Sequence, residues 1–146
     1  MIVCDTGPLV AAAISDDAHH SACVELFTAL HRARRRILVP GPVVAEVGYL
    51  LGREGGPRIE AQFLKSLADN VFHPVDVIDE DYRRAAELVL IYEDLPLGTT
   101  DATVLALCER LGVAELATLD RRHFTVVRPR HVHTLTLLPE RLALRR

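Results

Sequence analysis

The chain has 146 residues, of which 49% are hydrophobic and 25% are charged, and its formal net charge is −3. This composition is too apolar for a disordered protein, and the length suits one core, so a single domain over residues 1–146 is predicted. The slightly acidic charge argues against a dedicated nucleic-acid-binding protein, because such proteins are usually basic.

The sequence predicts a cytoplasmic protein without a membrane segment. No apolar run approaches the roughly 18 residues that a membrane span needs. Met1 leads directly into an apolar run, with neither the basic region nor the cleavage site of a signal peptide. Cys4, Cys23 and Cys108 are odd in number and widely spaced, which favours reduced core thiols over a disulfide framework or a zinc site.

Short apolar runs alternate with helical patterns along the whole chain. In chain order they predict a strand at 2–4, helices at 9–14 and 18–33, a strand at 37–39, helices at 43–51 and 59–67, a strand at 71–75, helices at 79–92 and 101–111, and strands at 115–119 and 132–137. Pro74 indicates an edge position for the third strand. This alternation predicts an α/β protein with a parallel sheet of about five strands, covered by helices on both faces.

Three aspartates lie where such a fold places its ligand-binding edge. Asp5 follows the first strand and Asp120 follows the fourth, while Asp101 begins a helix after a glycine and two threonines. Ligands of parallel sheets bind outside the carboxyl ends of the strands, at the point where the strand order reverses. We therefore expect these carboxylates to lie close together.

Glu46 is a fourth acid of interest because its helix is otherwise apolar. Its neighbours one turn away, Val43 and Leu50, predict that it shares a buried face. An unpaired buried carboxylate costs several kcal/mol, and no lysine or arginine lies one turn away on this helix. Glu46 is therefore expected to need a partner elsewhere.

Two interpretations of the acids remain open from the residues alone. Asp5 and Asp101 could each cap a helix, and Asp120 could cap a turn at residues 121–123. Alternatively, the four acids converge, in which case they repel one another unless a cation is present. Oxygen ligands are typical of Mg²⁺ or Mn²⁺, and this interpretation also accounts for Glu46.

Four motifs in sequence resemble those of a known family. They are IVCDT at residues 2–6, PVVAEV at 42–47, TTDA at 99–102 and ATLDRRHF at 117–124. Their order and spacing resemble the PIN-domain ribonucleases, most of all the VapC toxins of bacterial toxin–antitoxin pairs. The resemblance covers the whole chain, although Gly7-Pro8 departs from the residues usually found before the first helix.

The resemblance implies a three-layer α/β/α PIN-like fold and a metal-dependent endoribonuclease that cuts tRNA or ribosomal RNA and so inhibits translation. The acids that match the family motifs, Asp5, Glu46, Asp101 and Asp120, would surround Mg²⁺ or Mn²⁺, supported by the hydroxyl of Thr6 or Thr118. The implied partners are the RNA substrate, a VapB-type antitoxin and a second copy of the chain in a homodimer.

Two basic residues and one alternative function complete the predictions. Arg121 and Arg122 follow Asp120 directly, and we expect them to contact RNA phosphates. The alternative is a catalytically silent PIN-like module that binds RNA or protein. A phosphoaspartate hydrolase is disfavoured, because position 7 holds glycine where that chemistry needs a second aspartate.

Overall fold

The computed structural model describes residues 1–140, so the last six residues of the predicted domain lie outside the described part of the chain. In this described part, twelve elements follow one another in chain order: β1 (Ile2–Cys4), α1 (Thr6–Ala13), α2 (His20–Arg32), β2 (Ile37–Pro40), α3 (Gly41–Gly55), α4 (Pro57–Ala68), β3 (His73–Val75), α5 (Asp79–Ile91), α6 (Thr99–Leu111), β4 (Glu115–Ala117), α7 (Arg121–Phe124) and β5 (Thr136–Leu138). Within residues 1–140, no helix combines the length and the apolar character that crossing a membrane requires.

The five strands form one parallel sheet in the order β3-β2-β1-β4-β5. The chain first builds outward from β1 to β3, and then returns to place β4 on the other side of β1. The strand order therefore reverses between β1 and β4. The predicted edge position of β3 is confirmed, and Pro74 lies in that edge strand.

Helices cover both faces of this sheet, as the sequence predicted. Helices α1 to α4 pack on one another, and α5 packs against α6. Crossovers between parallel strands are right-handed, so the reversal after β3 moves α5 and α6 to the opposite face. Both β1 and β2 are buried along their entire length, which explains their continuous apolar sequences.

Helix α6 is the most deeply buried helix of the fold. Seven consecutive residues, Ala102 to Cys108, are buried. The helix ends at Gly112, which has a φ of 65° and suits the left-handed conformation of a helix C-terminus. This burial fixes the first turn of α6, which carries Asp101, relative to the sheet.

Several details of the structure differ from the sequence predictions. Residues 121–124 form the short helix α7 where a turn was predicted, and β5 begins at Thr136 rather than at residue 132. The strand is shorter because β4, its partner, offers only three residues for pairing. On α5, Tyr82 is 58% exposed, because the buried stripe of this helix runs through Asp81, Ala85 and Leu88.

Candidate metal centre

The point of strand reversal brings the ends of β1 and β4 together. The backbone N–H of Asp5 donates to the carbonyl of Ala117 at 2.8 Å, so the residues after the two strands are direct neighbours. Gly7, in the first turn of α1, packs on Leu119 just beyond β4. A Cβ atom at position 7 would lie 3.2 Å from the Leu119 Cβ, so the glycine permits this close approach.

Thr118 joins two of the predicted acids. Its buried hydroxyl donates a hydrogen bond to Oδ2 of Asp5 at 3.0 Å. The hydroxyl oxygen of Thr118 also accepts a hydrogen bond from the backbone N–H of Asp120 at 3.0 Å. Thr118 therefore orients the Asp5 carboxylate and the turn that carries Asp120.

Asp101 and Asp120 face each other across the ring of His123. The Nδ1 atom of His123 lies 2.5 Å from Oδ2 of Asp120 and 3.3 Å from Oδ2 of Asp101. The potential ligand atoms of the three residues all lie within 4.8 Å of one another. Among the described residues, Asp5 and Glu46 lie outside this group of three. The charges of both nevertheless help to raise the pKa of Asp101.

His123 was missed by the sequence analysis, which expected oxygen ligands alone. The available signal was its spacing, because a residue three positions after Asp120 lies on the same side of a helical turn. A helix of only four residues shows no periodicity, so this turn was not recognised as helical.

The burial predicted for Glu46 is wrong. The side chain is exposed on α3, whereas Val43 and Val47 of the same helix are buried. Its charge nevertheless contributes to raising the pKa values of Asp5 and Asp101. Glu46 therefore lies at the open side of the site, where solvent lowers the cost of its charge.

Helix capping explains only one of the acids. Asp5 precedes α1, but its side chain makes no capping hydrogen bond, and the cap residue of α6 is Gly98 rather than Asp101. Asp120 does cap α7, since its Oδ1 accepts from the backbone N–H of His123 at 3.0 Å. Asp5 and Asp101 therefore need another explanation.

The acids of the site repel one another. Burial is the main cause that raises the pKa of Asp5, with contributions from the charges of Glu46 and Asp120, while the hydrogen bond from Thr118 lowers it. The pKa of Asp101 is raised to about 6, mainly by burial and further by the charges of Asp5 and Asp120. Ionised together, these groups are unfavourable without a positive charge between them.

These residues fit a divalent cation. Carboxylate oxygens and one imidazole nitrogen are common ligands of divalent metals. The hydroxyl of Thr6, next to Asp5, is buried and has no hydrogen-bond partner among the described residues. Asp5, Asp101 and Asp120 would hold the cation, with Glu46 at the open side.

The raised pKa of Asp101 predicts a stability effect that depends on pH. Between pH 3.8 and about 6 the folded protein binds this proton more tightly than the unfolded chain, so the contribution of Asp101 to stability is lost as the pH rises. Without metal, Asp101→Asn is therefore expected to gain stability relative to wild type from pH 4 to pH 7. Thermal unfolding of both proteins across this range measures the difference. A difference that shrinks with pH would contradict the prediction.

The two predicted RNA-binding arginines have different surroundings. Arg121 is half-buried and donates to the carbonyl of Pro139, beyond the end of β5. Arg122 is exposed on the same short helix. The side chain of Arg121 therefore contacts another part of the protein, whereas the exposed side chain of Arg122 is accessible to a ligand.

Comparison with known proteins agrees with this fold. The family model described as the PIN domain matches residues 2–128. The chain therefore belongs to the PIN domain family.

Within this family, the similarity is to VapC proteins. Ribonuclease VapC26 of Mycobacterium tuberculosis is 30% identical over 141 residues, which cover 94% of this chain and all of the relative. The crystal structure of VapC20 of the same organism, described as a sarcin–ricin loop cleaving toxin, superposes with a TM-score of 0.70 at 20% identity. That match covers 80% of this chain and 87% of VapC20, and it confirms the predicted α/β/α fold.

Proposed function

We propose that this protein is a metal-dependent endoribonuclease that acts as the toxin of a VapBC-type pair. The proposed substrate is a structured RNA, tRNA or ribosomal RNA, and the proposed effect is inhibition of translation. The observation that best supports the proposal is that Asp101 and Asp120 share contacts with the ring of His123, while burial and the charge of Asp5 raise the pKa of Asp101 to about 6. The similarity to Ribonuclease VapC26 supports the choice of RNA over other phosphodiesters.

Each residue of the site has a role in this proposal. Asp5 is held rigidly by Thr118, and Asp101 is held by the buried helix α6, so both carboxylates are positioned before substrate arrives. When bound, Mg²⁺ or Mn²⁺ would supply Lewis-acid stabilisation of the charge that develops on the phosphodiester during attack by water. Glu46 at the open side is available to orient that water.

A nucleophilic cysteine has no part in this chemistry. Cys4, Cys23 and Cys108 are all buried and unpaired. Burial raises the pKa of each of these thiols, which disfavours the reactive thiolate. Hydrolysis by water is therefore the mechanism that suits the available groups.

The direct test is cleavage of total cellular RNA by the purified protein. Reactions contain Mg²⁺, Mn²⁺ or EDTA, and sequencing maps the new RNA ends. The proposal expects discrete ends with metal and none with EDTA. Mn²⁺ binding by calorimetry without cleavage of any RNA would instead favour the catalytically silent binding module.

The toxin role has a separate test in cells. Induction of the protein in the bacterial cytoplasm, its proposed location, is expected to arrest growth. Co-expression of the small protein encoded beside it, the proposed VapB-type antitoxin, should restore growth. Arrest that persists with Asp101→Asn would show a toxicity unrelated to the site.

A homodimer is also proposed. Helix α5 exposes the apolar side chains of Tyr82, Val89 and Leu90, which are 58%, 37% and 71% exposed and line one surface depression. Exposed apolar side chains clustered on one element are typical of interaction surfaces. Light scattering coupled to gel filtration measures the mass, and a monomer at micromolar concentration would contradict the proposal.

Arg122 and Arg121 should respond differently to substitution. Removing the exposed side chain in Arg122→Ala is expected to weaken RNA binding several-fold and to reduce its salt dependence, since one phosphate contact is lost. Arg121→Ala is expected to lower the melting temperature, because it loses the contact with the Pro139 carbonyl. RNA binding by a non-cleaving Asp101→Asn protein, measured at several salt concentrations, separates the two effects. Unchanged binding by Arg122→Ala would remove this residue from the RNA surface.

A further inference from the structure

We propose that Nδ1 of His123 is a direct ligand of the cation, so that the centre prefers a transition-metal ion such as Mn²⁺ to Mg²⁺. This inference rests on the metal centre of the proposed function. It adds a nitrogen ligand to a site that the sequence motifs describe by its acids alone.

The ring of His123 lies between two carboxylates from separate parts of the chain. Nδ1 is hydrogen-bonded to Oδ2 of Asp120 at 2.5 Å and lies 3.3 Å from Oδ2 of Asp101 on α6. The potential ligand atoms of these three residues all lie within 4.8 Å of one another. A single cation that replaces the proton of the hydrogen bond can therefore reach all three residues.

Helix capping does not need the imidazole ring of His123. The backbone N–H of His123 already satisfies Oδ1 of Asp120 at the start of α7. The ring adds a contact to Asp101 on α6, outside the helix that Asp120 caps. Its side chain is 23% exposed, so the ring lies at the open side of the site, within reach of a dissolved cation.

Mg²⁺ binds oxygen and gives up its water reluctantly, whereas imidazole nitrogen is a good ligand for transition metals. When a metal binds to Nδ1, the proton that this atom shares with Asp120 is released to solvent, and the remaining ring proton lies on Nε2. A nitrogen ligand between two carboxylates therefore raises affinity for Mn²⁺ more than affinity for Mg²⁺.

The test is electron spin-echo spectroscopy of the Mn²⁺-loaded protein, combined with calorimetry. The wild type is expected to show the ¹⁴N modulation of a directly bound imidazole, and ¹⁵N-histidine labelling should change it. His123→Asn keeps a polar side chain beside Asp120 but removes the ring. It should lose the modulation and bind Mn²⁺ about tenfold more weakly, with Mg²⁺ affinity changed much less. His133→Asn, which replaces an exposed histidine outside the site, should behave as wild type.

Two results would overturn the inference. A wild-type Mn²⁺ complex without directly bound nitrogen would reduce His123 to a residue that positions Asp120. Equal losses of Mn²⁺ and Mg²⁺ affinity in His123→Asn would remove the proposed preference. Circular dichroism of each variant establishes that it is folded.

The spectroscopic result is independent of RNA. Nitrogen coupling without RNA cleavage would leave this inference intact while the proposed nuclease function fails. Metal-dependent cleavage without nitrogen coupling would support the proposed nuclease function and exclude His123 as a metal ligand. The two proposals can therefore fail separately.

Discussion

Asp101→Asn is expected to reduce RNA cleavage by at least about 100-fold, because it removes a charged metal ligand from the centre of the site. The same substitution should stabilise the metal-free protein near neutral pH. Asparagine keeps the size of the side chain but carries no charge, so it relieves the repulsion from Asp5 and Asp120 that helps raise the pKa of Asp101. Each kcal/mol of relief would raise the melting temperature by about 3 °C. Cleavage assays and thermal unfolding in EDTA measure the two effects.

The combination of lost activity and gained stability distinguishes a functional acid from a structural one. Asp16→Asn is the matched control, since Asp16 is an exposed residue in the turn after α1, and it should change neither property. Lower stability of Asp101→Asn would mean that the contact with His123 outweighs the repulsion. Retained cleavage would exclude Asp101 from the catalytic group.

Thr118→Val is expected to destabilise the protein by about 2 to 3 kcal/mol. Valine has nearly the shape of threonine, so the loss comes from two unsatisfied groups rather than from a cavity. The Asp5 carboxylate loses its donor, and the backbone N–H of Asp120 loses its acceptor. The melting temperature should fall by several degrees, and metal affinity should fall by about tenfold because Asp5 is no longer oriented.

Thr118→Ser is the control for this change because it keeps the hydroxyl and removes only a methyl group. It should bind metal nearly as wild type does. Chemical denaturation gives the stability of both variants, and calorimetry with Mn²⁺ gives their affinity. If valine and serine weaken metal binding equally, packing at position 118 matters more than the hydrogen bonds.

The predicted and observed positions of particular residues show which features of the site the sequence reveals. The ends of β1 and β4 were recognisable because apolar runs stop at Asp5 and near Asp120. The exposure of Glu46 was not recognisable from the sequence. Helical periodicity shows on which face of a helix a residue lies, but not whether the rest of the fold covers that part of the helix. His123 was missed because its role depends on the direction of one ring, and α7 is too short to show a pattern.

The sequence by itself determined the α/β class and the parallel sheet, because local hydrophobic patterns and chain breaks encode these features directly. Only the tertiary structure decided that β4 lies beside β1, since strand order depends on packing between distant segments. That pairing brings Thr118 to Asp5, and the buried position of α6 brings Asp101 to His123. Distances and pKa shifts arise from such contacts between remote parts of the chain, and no local pattern contains them.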